Sequence, residues 1–400
     1  MKILIDKAMP YYLDYFSELG EVAAFAEGHL LEQDLSQVEV LLVRSTTKID
    51  NTVLTHMPKL KFVGTATAGY DHFDIKAIEA AGVYWCSAAG CNAIAVTQYA
   101  VLAVLTIACE QGFLLADKKI AIVGHGNVGR RVKEAMSVLG ANVVIYDPPQ
   151  VDKLTARAIE NSLSDTNYVN FDEVLSADII CIHAPLNSDP AYPSQHLFNT
   201  RTLAQLNSNQ ILINAGRGGV VDNTALLTRL TLPNAPSIVL DVWENEPFIK
   251  RDLIPLVRFA TAHIAGHSLE GKAKGTHILY ERLCEYIQTP AKISVESLLP
   301  AFTCDIPPSL QAQLNKQTLR SDIDYQTAIL ALCKLVYNIE NDDSVFRQHM
   351  SQSDSFKVIR QDYPIRREFS ALAIEASNKY TQECLRGLGF IISNDSEYFN

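Results

Sequence analysis

The sequence predicts an α/β protein, with two doubly wound parallel-sheet domains followed by a small C-terminal α+β domain. Three observations carry that reading. The stretch Asp117 to Asp147 runs strand, glycine-rich turn, helix, strand. Short apolar runs recur along the first 290 residues with helical segments between them, the pattern of a parallel sheet. Beyond about residue 290, Pro300, Pro307 and Pro308 punctuate a linker-like stretch, and helical patterns dominate after it.

In chain order, Lys2–Asp6 reads as a strand and Tyr11–Leu19 as a helix. Val38–Val43, Phe62–Thr65 and Val83–Cys86 are further strands, apolar and too short for helices. The runs 44–48 (RSTTK) and 65–72 (TATAGYDH) directly follow two of them. In open α/β sheets ligands bind beyond the carboxyl ends of strands, so both loops are candidate substrate loops. Asn92 caps a nearly all-apolar helix from Ala93 to Glu110, which is expected to be buried between domains.

Within Asp117–Asp147, Ile120–Val123 is a buried strand, Gly124-His125-Gly126-Asn127-Val128-Gly129 matches G-x-G-x-x-G, and Arg130–Leu139 is a helix with Val132, Met136 and Leu139 on one face. Asn142–Tyr146 is the next strand. Gly124 permits the tight turn, and Gly126 lets backbone N–H groups approach a pyrophosphate at the positive helix end. Gly129 allows close packing of helix on strand. Asp147 stands 21 residues after Gly126, where a carboxylate accepts hydrogen bonds from ribose hydroxyls and repels a 2′-phosphate. The unit therefore predicts a dinucleotide site selecting NAD over NADP.

Residues 148–176 read as polar and irregular. Ala177–Ala184, Gln210–Ala215 and Ser237–Val242 are three more buried strands; Thr261–Gly266 closes the unit, and Gly271–Tyr286 returns as a helix. Past the prolines, Thr327–Tyr337 and Tyr380–Leu388 are helical and Gly389–Ile392 is strand-like, whereas Phe356–Ala373 has no clear periodicity.

Composition bounds the function. Four hundred residues at 48% apolar content suffice for two or three cores, and a net charge of −11 argues against nucleic acid or an anionic membrane as partner. The N-terminus enters a strand at once without a secretory apolar region, and the eight cysteines are scattered with no C-x-x-C pair. Both features predict a cytoplasmic protein with buried free thiols and no metal site.

Three polar residues follow successive strands: Arg217 in 214–222 (NAGRGGVVD), Glu246 in 241–247 (DVWENEP) and His263 in 261–267 (TAHIAGH). An arginine binds a carboxylate through two parallel hydrogen bonds, a histidine exchanges a proton with a hydroxyl near neutral pH, and a glutamate beside it orients the ring. Hydride transfer from an alcohol carbon to NAD needs that anchor, base and orienter.

With GHGNVG and Asp147, the motifs HAPL (183–186), INAGRGGVVD (213–222), LDVWENEP (240–247) and HIAGH (263–267) resemble those of the D-isomer-specific 2-hydroxyacid dehydrogenases. The resemblance implies catalytic roles for Arg217, Glu246 and His263. It implies NAD contacts at Gly124, Gly126, Asn127, Val128, Gly129, Asp147, Ala184, Ala215, Gly216, Asp241 and Gly266. It also implies a flavodoxin-like substrate domain of residues 1–92 and 264–290, a Rossmann-type NAD-binding domain of 93–263, and a dimerisation domain of 291–400. A closer likeness, to the branch of that family serving pyridoxal 5′-phosphate biosynthesis, rests on VRSTTK (43–48), KFVGTATAGYDH (61–72), GCNAIAV (90–96), SLEGKAKGT (268–276) and YPIRREFSAL (363–372). It implies a homodimer that oxidises 4-phospho-D-erythronate with NAD. Ser45, Thr67 and His267 would contact substrate, with Arg44 and Lys48 on its phosphate and Arg366 or Arg367 of a partner subunit as the second choice. Ala184 and His267 depart from the usual Thr and Tyr. The rival readings are a 3-phosphoglycerate dehydrogenase-like enzyme and a non-catalytic NAD-sensing scaffold.

Overall fold

The computed structural model of the chain describes residues 1–158, 167–316, 322–350 and 355–393. The chain forms two compact units, Met1–Ala93 with His267–Ala301 and Ile94–Gly266 with Phe302–Asn400.

The first unit is built on β1 (Lys2–Asp6), β2 (Glu21–Phe25), β3 (Val40–Val43), β4 (Phe62–Thr65) and β5 (Tyr84–Ser87). They form a parallel sheet in the order β2-β1-β3-β4-β5, a flavodoxin-like arrangement. Side chains alternate along each strand and fill two cores. Leu4, Leu41, Val43 and Val63 lie on one face; Ile3, Ile5, Leu42 and Phe62 lie on the other, with Leu279 and Leu283 of helix Leu269–Tyr286. That helix comes close because β4 carries Gly64, where a Cβ would sit 2.9 Å from a Leu279 methyl. β2 is absent from the sequence reading. Its run, Glu-Val-Ala-Ala-Phe, lies at the sheet edge and buries only Phe25, so it carries little of the apolar signal that marks the central strands.

The second unit is built on β6 (Lys119–Val123), β7 (Asn142–Tyr146), β8 (Ile179–Ile182), β9 (Ile211–Asn214), β10 (Ser237–Leu240) and β11 (Phe259–Ala260). All are parallel, in the order β11-β10-β9-β8-β6-β7. The order reverses at β6, whose neighbours are β7 and β8, and this places a ligand crevice beyond its carboxyl end. Helix Ala93–Gln111 lies inside this core, which is why a segment long and apolar enough to cross a membrane is found buried.

One reading changes, and another gains its form. Residues 261–266, which close the unit, are a loop following β11, because the carbonyl and carboxylate of Asp241 claim the N–H groups of His263, Ile264 and Ala265. Pro148–Ala158 is a helix rather than irregular chain; prolines are tolerated in a first turn, where the N–H groups have no helical acceptor. Phe171–Leu175 is a short helix, while residues 159–166 lie outside the described residues.

The C-terminal region contributes helices Pro308–Leu314, Ile323–Val336, Ile339–His349, Ser355–Gln361 and Lys379–Leu388. A parallel pair, β12 (Ala373–Ile374) and β13 (Ile391–Ile392), accompanies them. These elements share one apolar core with the six-stranded sheet. Gln326 accepts from Leu115 N–H and donates to Phe113 C=O, both at 2.9 Å. Asp343 accepts the edge N–H of Ala260 in β11 at 2.7 Å, and Arg347 donates to the carbonyls of Ile254, Val257 and Arg258.

Candidate active site

The glycine turn after β6 has the geometry its three glycines require. Gly124 adopts φ +92°, and a Cβ there would lie 2.7 Å from the backbone of Ala184. At Gly129 a Cβ would stand 1.9 Å from Gly124 O. At Gly126 it would meet nothing within 4 Å, yet φ is −81° and no strain demands glycine. Gly126 is also the N-cap of helix Asn127–Val138, with no side chain closing the cap. Open space over uncapped N–H groups suits a pyrophosphate, with Asn127 and Val128 as the first helical residues. Asp147, at the tip of β7, accepts the N–H of His125 at 2.7 Å on one oxygen and that of Gln150 at 3.0 Å on the other. Each oxygen keeps a lone pair for a ribose hydroxyl. NAD fits this cradle.

The neighbouring strand ends converge on the turn. His183 N–H donates to Val123 O, which sets Ala184 against Gly124. Ala215 N–H donates to Ile182 O, and a Cβ at Gly216 would lie 3.0–3.2 Å from the backbone of 182–184. Arg217 extends from this loop, where its guanidinium donates to Gly216 O at 3.0 Å. The next glycine, Gly218, presses directly on Trp243, a Cβ there being only 1.9 Å from Trp243 O. The Arg217 loop and the Glu246 loop are thereby locked together.

Glu246 bridges. Its Oε1 accepts Trp243 N–H at 2.8 Å and its Oε2 lies 2.7 Å from His263 Nδ1. Burial acts to raise the Glu246 pKa, but the bond to His263, the His263 charge, the Trp243 N–H and the Arg360 charge outweigh it, and the carboxyl is held below its ordinary range. With an ionised carboxylate on Nδ1, that nitrogen carries the hydrogen. Nε2 has no protein partner among the described residues and is left as the acceptor. His263 sits at φ +56°, a left-handed backbone unusual for a side-chain-bearing residue. Asp241 holds it there. Its buried carboxylate accepts from Thr261 Oγ1, Ile264 N–H and Ala265 N–H at 2.7–3.0 Å, while its carbonyl accepts His263 N–H at 2.7 Å.

Asp241 therefore spends its side chain on the loop. Gly266 ends that loop, and His267 begins the second stretch of the first unit. The supporting partners Trp243, Thr261 and Tyr99, whose hydroxyl bonds Thr261 at 2.8 Å, have no signal in the sequence reading beyond their apolar surroundings. Arg360 is also missed, because it reaches Glu246 from a C-terminal helix more than a hundred residues away in sequence.

On the first unit, the loops after β3 and β4 carry Ser45, which is exposed, and Thr67, half-buried. Thr67 Oγ1 lies 2.8 Å from Thr65 Oγ1 and donates to Gly69 O. Arg44 pairs with buried Asp6 at 3.0 Å and with Glu27 at 3.4 Å, and Lys48 is largely exposed and pairs with Asp50 at 3.2 Å. Arg366 is not presented to a partner. It is buried, donates to Ala265 O and Ala95 O, and lies over the Tyr337 ring, while Arg367 lies over Phe302.

Residues 106–268 match the family model of the D-isomer specific 2-hydroxyacid dehydrogenase NAD-binding domain, and residues 310–389 match a domain of unknown function. The chain is 38% identical over 397 residues to erythronate-4-phosphate dehydrogenase of Psychromonas ingrahamii (99% of this chain, 98% of that one). It is 40% identical over 391 residues to the enzyme of the same name from Proteus mirabilis (98% and 99%). Among solved structures it resembles NAD-dependent formate dehydrogenase from Staphylococcus aureus in complex with NAD, at 23% identity and a TM-score of 0.58 over 73% of this chain and 97% of that one. D-lactate dehydrogenase from Aquifex aeolicus, complexed with NAD and lactic acid, resembles it at 19% identity and a TM-score of 0.56 over 72% and 96%.

Proposed function

We propose that this chain, which belongs to the erythronate-4-phosphate dehydrogenase family of D-isomer specific 2-hydroxyacid dehydrogenases, oxidises the C2 hydroxyl of 4-phospho-D-erythronate to the 2-oxo acid. It is an NAD-dependent oxidoreductase. NAD, when bound, supplies the hydride acceptor. Gly126, Asn127 and Val128 hold the pyrophosphate with backbone N–H groups, and Asp147 takes the ribose hydroxyls, with Ala184, Ala215, Gly216 and Gly266 lining the site.

His263 Nε2 removes the C2 hydroxyl proton, and Glu246 orients the ring and balances the imidazolium that results. Arg217 pairs with the C1 carboxylate. Asp241 positions the His263 loop. On the first unit Ser45, Thr67 and His267 bind substrate, and Arg44 and Lys48 are the cations that the sequence offers for the phosphate. The observation that carries the reading is the His263–Glu246 bond, which fixes the tautomer with Nε2 as acceptor.

The protein acts in pyridoxal 5′-phosphate biosynthesis in the cytoplasm, as a homodimer through residues 291–400. Exposed Val358 and Ile365 are apolar surface for that contact, and sedimentation of the wild type against Ile365→Asp tests it.

NADH formation tests the reaction, with 4-phospho-D-erythronate, 3-phosphoglycerate and D-erythronate compared at equal concentration. Preference for the first supports the assignment. Preference for 3-phosphoglycerate keeps the mechanism and discards the substrate. No NADH from any of the three, with NAD exchanging freely, leaves the NAD-sensing scaffold.

A further inference from the structure

The substrate assigned above carries a phosphate, yet the two cations that the sequence offers for it each already share their charge with a carboxylate, so a further cation is needed beside Arg44. Arg44 pairs with Asp6 and Glu27, and Lys48 reaches into solvent beside Asp50. A third cation on the same unit, Lys272, is in a different state. It lies in the second turn of helix Leu269–Tyr286 and is half-buried. Among the described residues its ammonium has neither an ion-pair partner nor a hydrogen-bond acceptor. A partly desolvated ammonium without a partner is costly, and folded proteins rarely leave one so.

Its position is set by packing at the carboxyl ends of β3 and β4. One turn further along the helix, Gly275 sits on Ala66, where a Cβ would be 2.4 Å from Ala66 O. Ala66 N–H in turn donates to Val43 O, so Ala66 lies beside Arg44 across the sheet. Thr67 follows on the same loop. Lys272 is close enough to Arg44 that the two charges repel; burial first, and Arg44 second, lower the Lys272 pKa. Lys272 and Arg44 thus lie at the same end of β3 and β4, and the carboxylates bonded to the pair both belong to Arg44. A dianion between them would remove the repulsion and give Lys272 its partner, and the positive start of the helix adds to the same field.

We propose that Lys272, together with Arg44, holds the 4-phosphate of the substrate, and that Lys272 is the residue selecting a phosphorylated 2-hydroxy acid over its unphosphorylated counterpart. The proposal rests on the reaction assigned above for the identity of the anion. It concerns binding: Lys272 is not asked to touch the reacting C2.

The test compares wild type, Lys272→Met and Lys272→Arg, each first checked for an unchanged melting temperature. The readout is the ratio of kcat/KM for 4-phospho-D-erythronate to that for D-erythronate. Lys272→Met should lower this ratio by about tenfold or more through KM, the loss of one charge-assisted contact, while Lys272→Arg retains most of it. An unchanged ratio in Lys272→Met overturns the proposal. Calorimetric titration with inorganic phosphate separates the two inferences. Should the wild type fail to oxidise 4-phospho-D-erythronate, the substrate assignment falls, but phosphate binding that weakens about tenfold in Lys272→Met still supports an anion site there. Equal phosphate affinity in wild type and Lys272→Met, or none in either, overturns the site itself. If Lys272→Met is unstable, Lys272→Gln replaces it in the same two assays.

Discussion

His263 combines a left-handed backbone, a carboxylate on Nδ1 and an Nε2 with no protein partner among the described residues. These features give His263→Ala a defined signature. Turnover should fall by about two to four orders of magnitude, the usual share of a positioned base, while NAD titration gives an unchanged Kd. Retained turnover would show that the proton leaves by another route. Glu246 adds a pH dependence. Its folded-state pKa lies below the ordinary 4.5, so the stability it contributes is fully present above that value and is lost as pH falls through the depressed one. The stability gap between wild type and Glu246→Gln should therefore be widest near neutrality and shrink below about pH 4.5, as chemical denaturation at several pH values would reveal. Asp147 tests cofactor choice. Asp147→Asn removes the charge that repels a 2′-phosphate and weakens ribose binding, and should shift the NAD over NADP ratio of kcat/KM toward NADP by about ten- to a hundredfold.

Two glycines of one turn do different jobs at the scale of the element. Gly129→Ala forces a methyl toward the Gly124 carbonyl and should cost about 1–3 kcal/mol, lowering Tm by several degrees. Gly126→Ala meets open space at an allowed φ, so Tm should hold while the NAD Kd rises about tenfold or more. If instead Gly126→Ala melts early and binds NAD normally, the open space is not the pyrophosphate cradle. Sequence reading reached this element in full because a βαβ turn is local: its glycines, its helix and its acid lie within 31 residues, Asp117 to Asp147. The His263 loop was less legible. What shapes it is Asp241, which takes three N–H groups across a sequence gap that no periodicity reports.

For the whole molecule, the C-terminal region belongs to the core of the cofactor unit rather than hanging from it. Asp343 closes the free edge of β11, Arg347 gathers three carbonyls beside it, and Phe346 stacks on Trp243 with centroids 5.7 Å apart. Arg347→Ala leaves those carbonyls without their donor and should destabilise the unit by about 2 kcal/mol, measured by urea unfolding. A change below about 0.5 kcal/mol would mean that water replaces the guanidinium and that the region is only loosely attached. The same packing places the Arg360 charge where it acts on Glu246, so the C-terminal helices act on the Glu246–His263 pair electrostatically as well as by support.

By itself the sequence determined the parallel α/β class and the dinucleotide turn with its acid, and it singled out Arg217, Glu246 and His263 as the residues proposed for anchor, orienter and base. Each of these is written in short-range pattern: apolar runs bounded by turn residues, glycines at fixed offsets, polar residues just past strand ends. Tertiary structure alone decided which of the polar residues are spent on one another. Arg44 is drawn to Asp6, Asp241 to the His263 loop and Arg366 to main-chain carbonyls, while Lys272 has no such partner among the described residues. Pairing of charges depends on distances between segments far apart in the chain, and burial sets how strongly an unpaired one seeks a partner. Neither quantity exists until the sheets have formed.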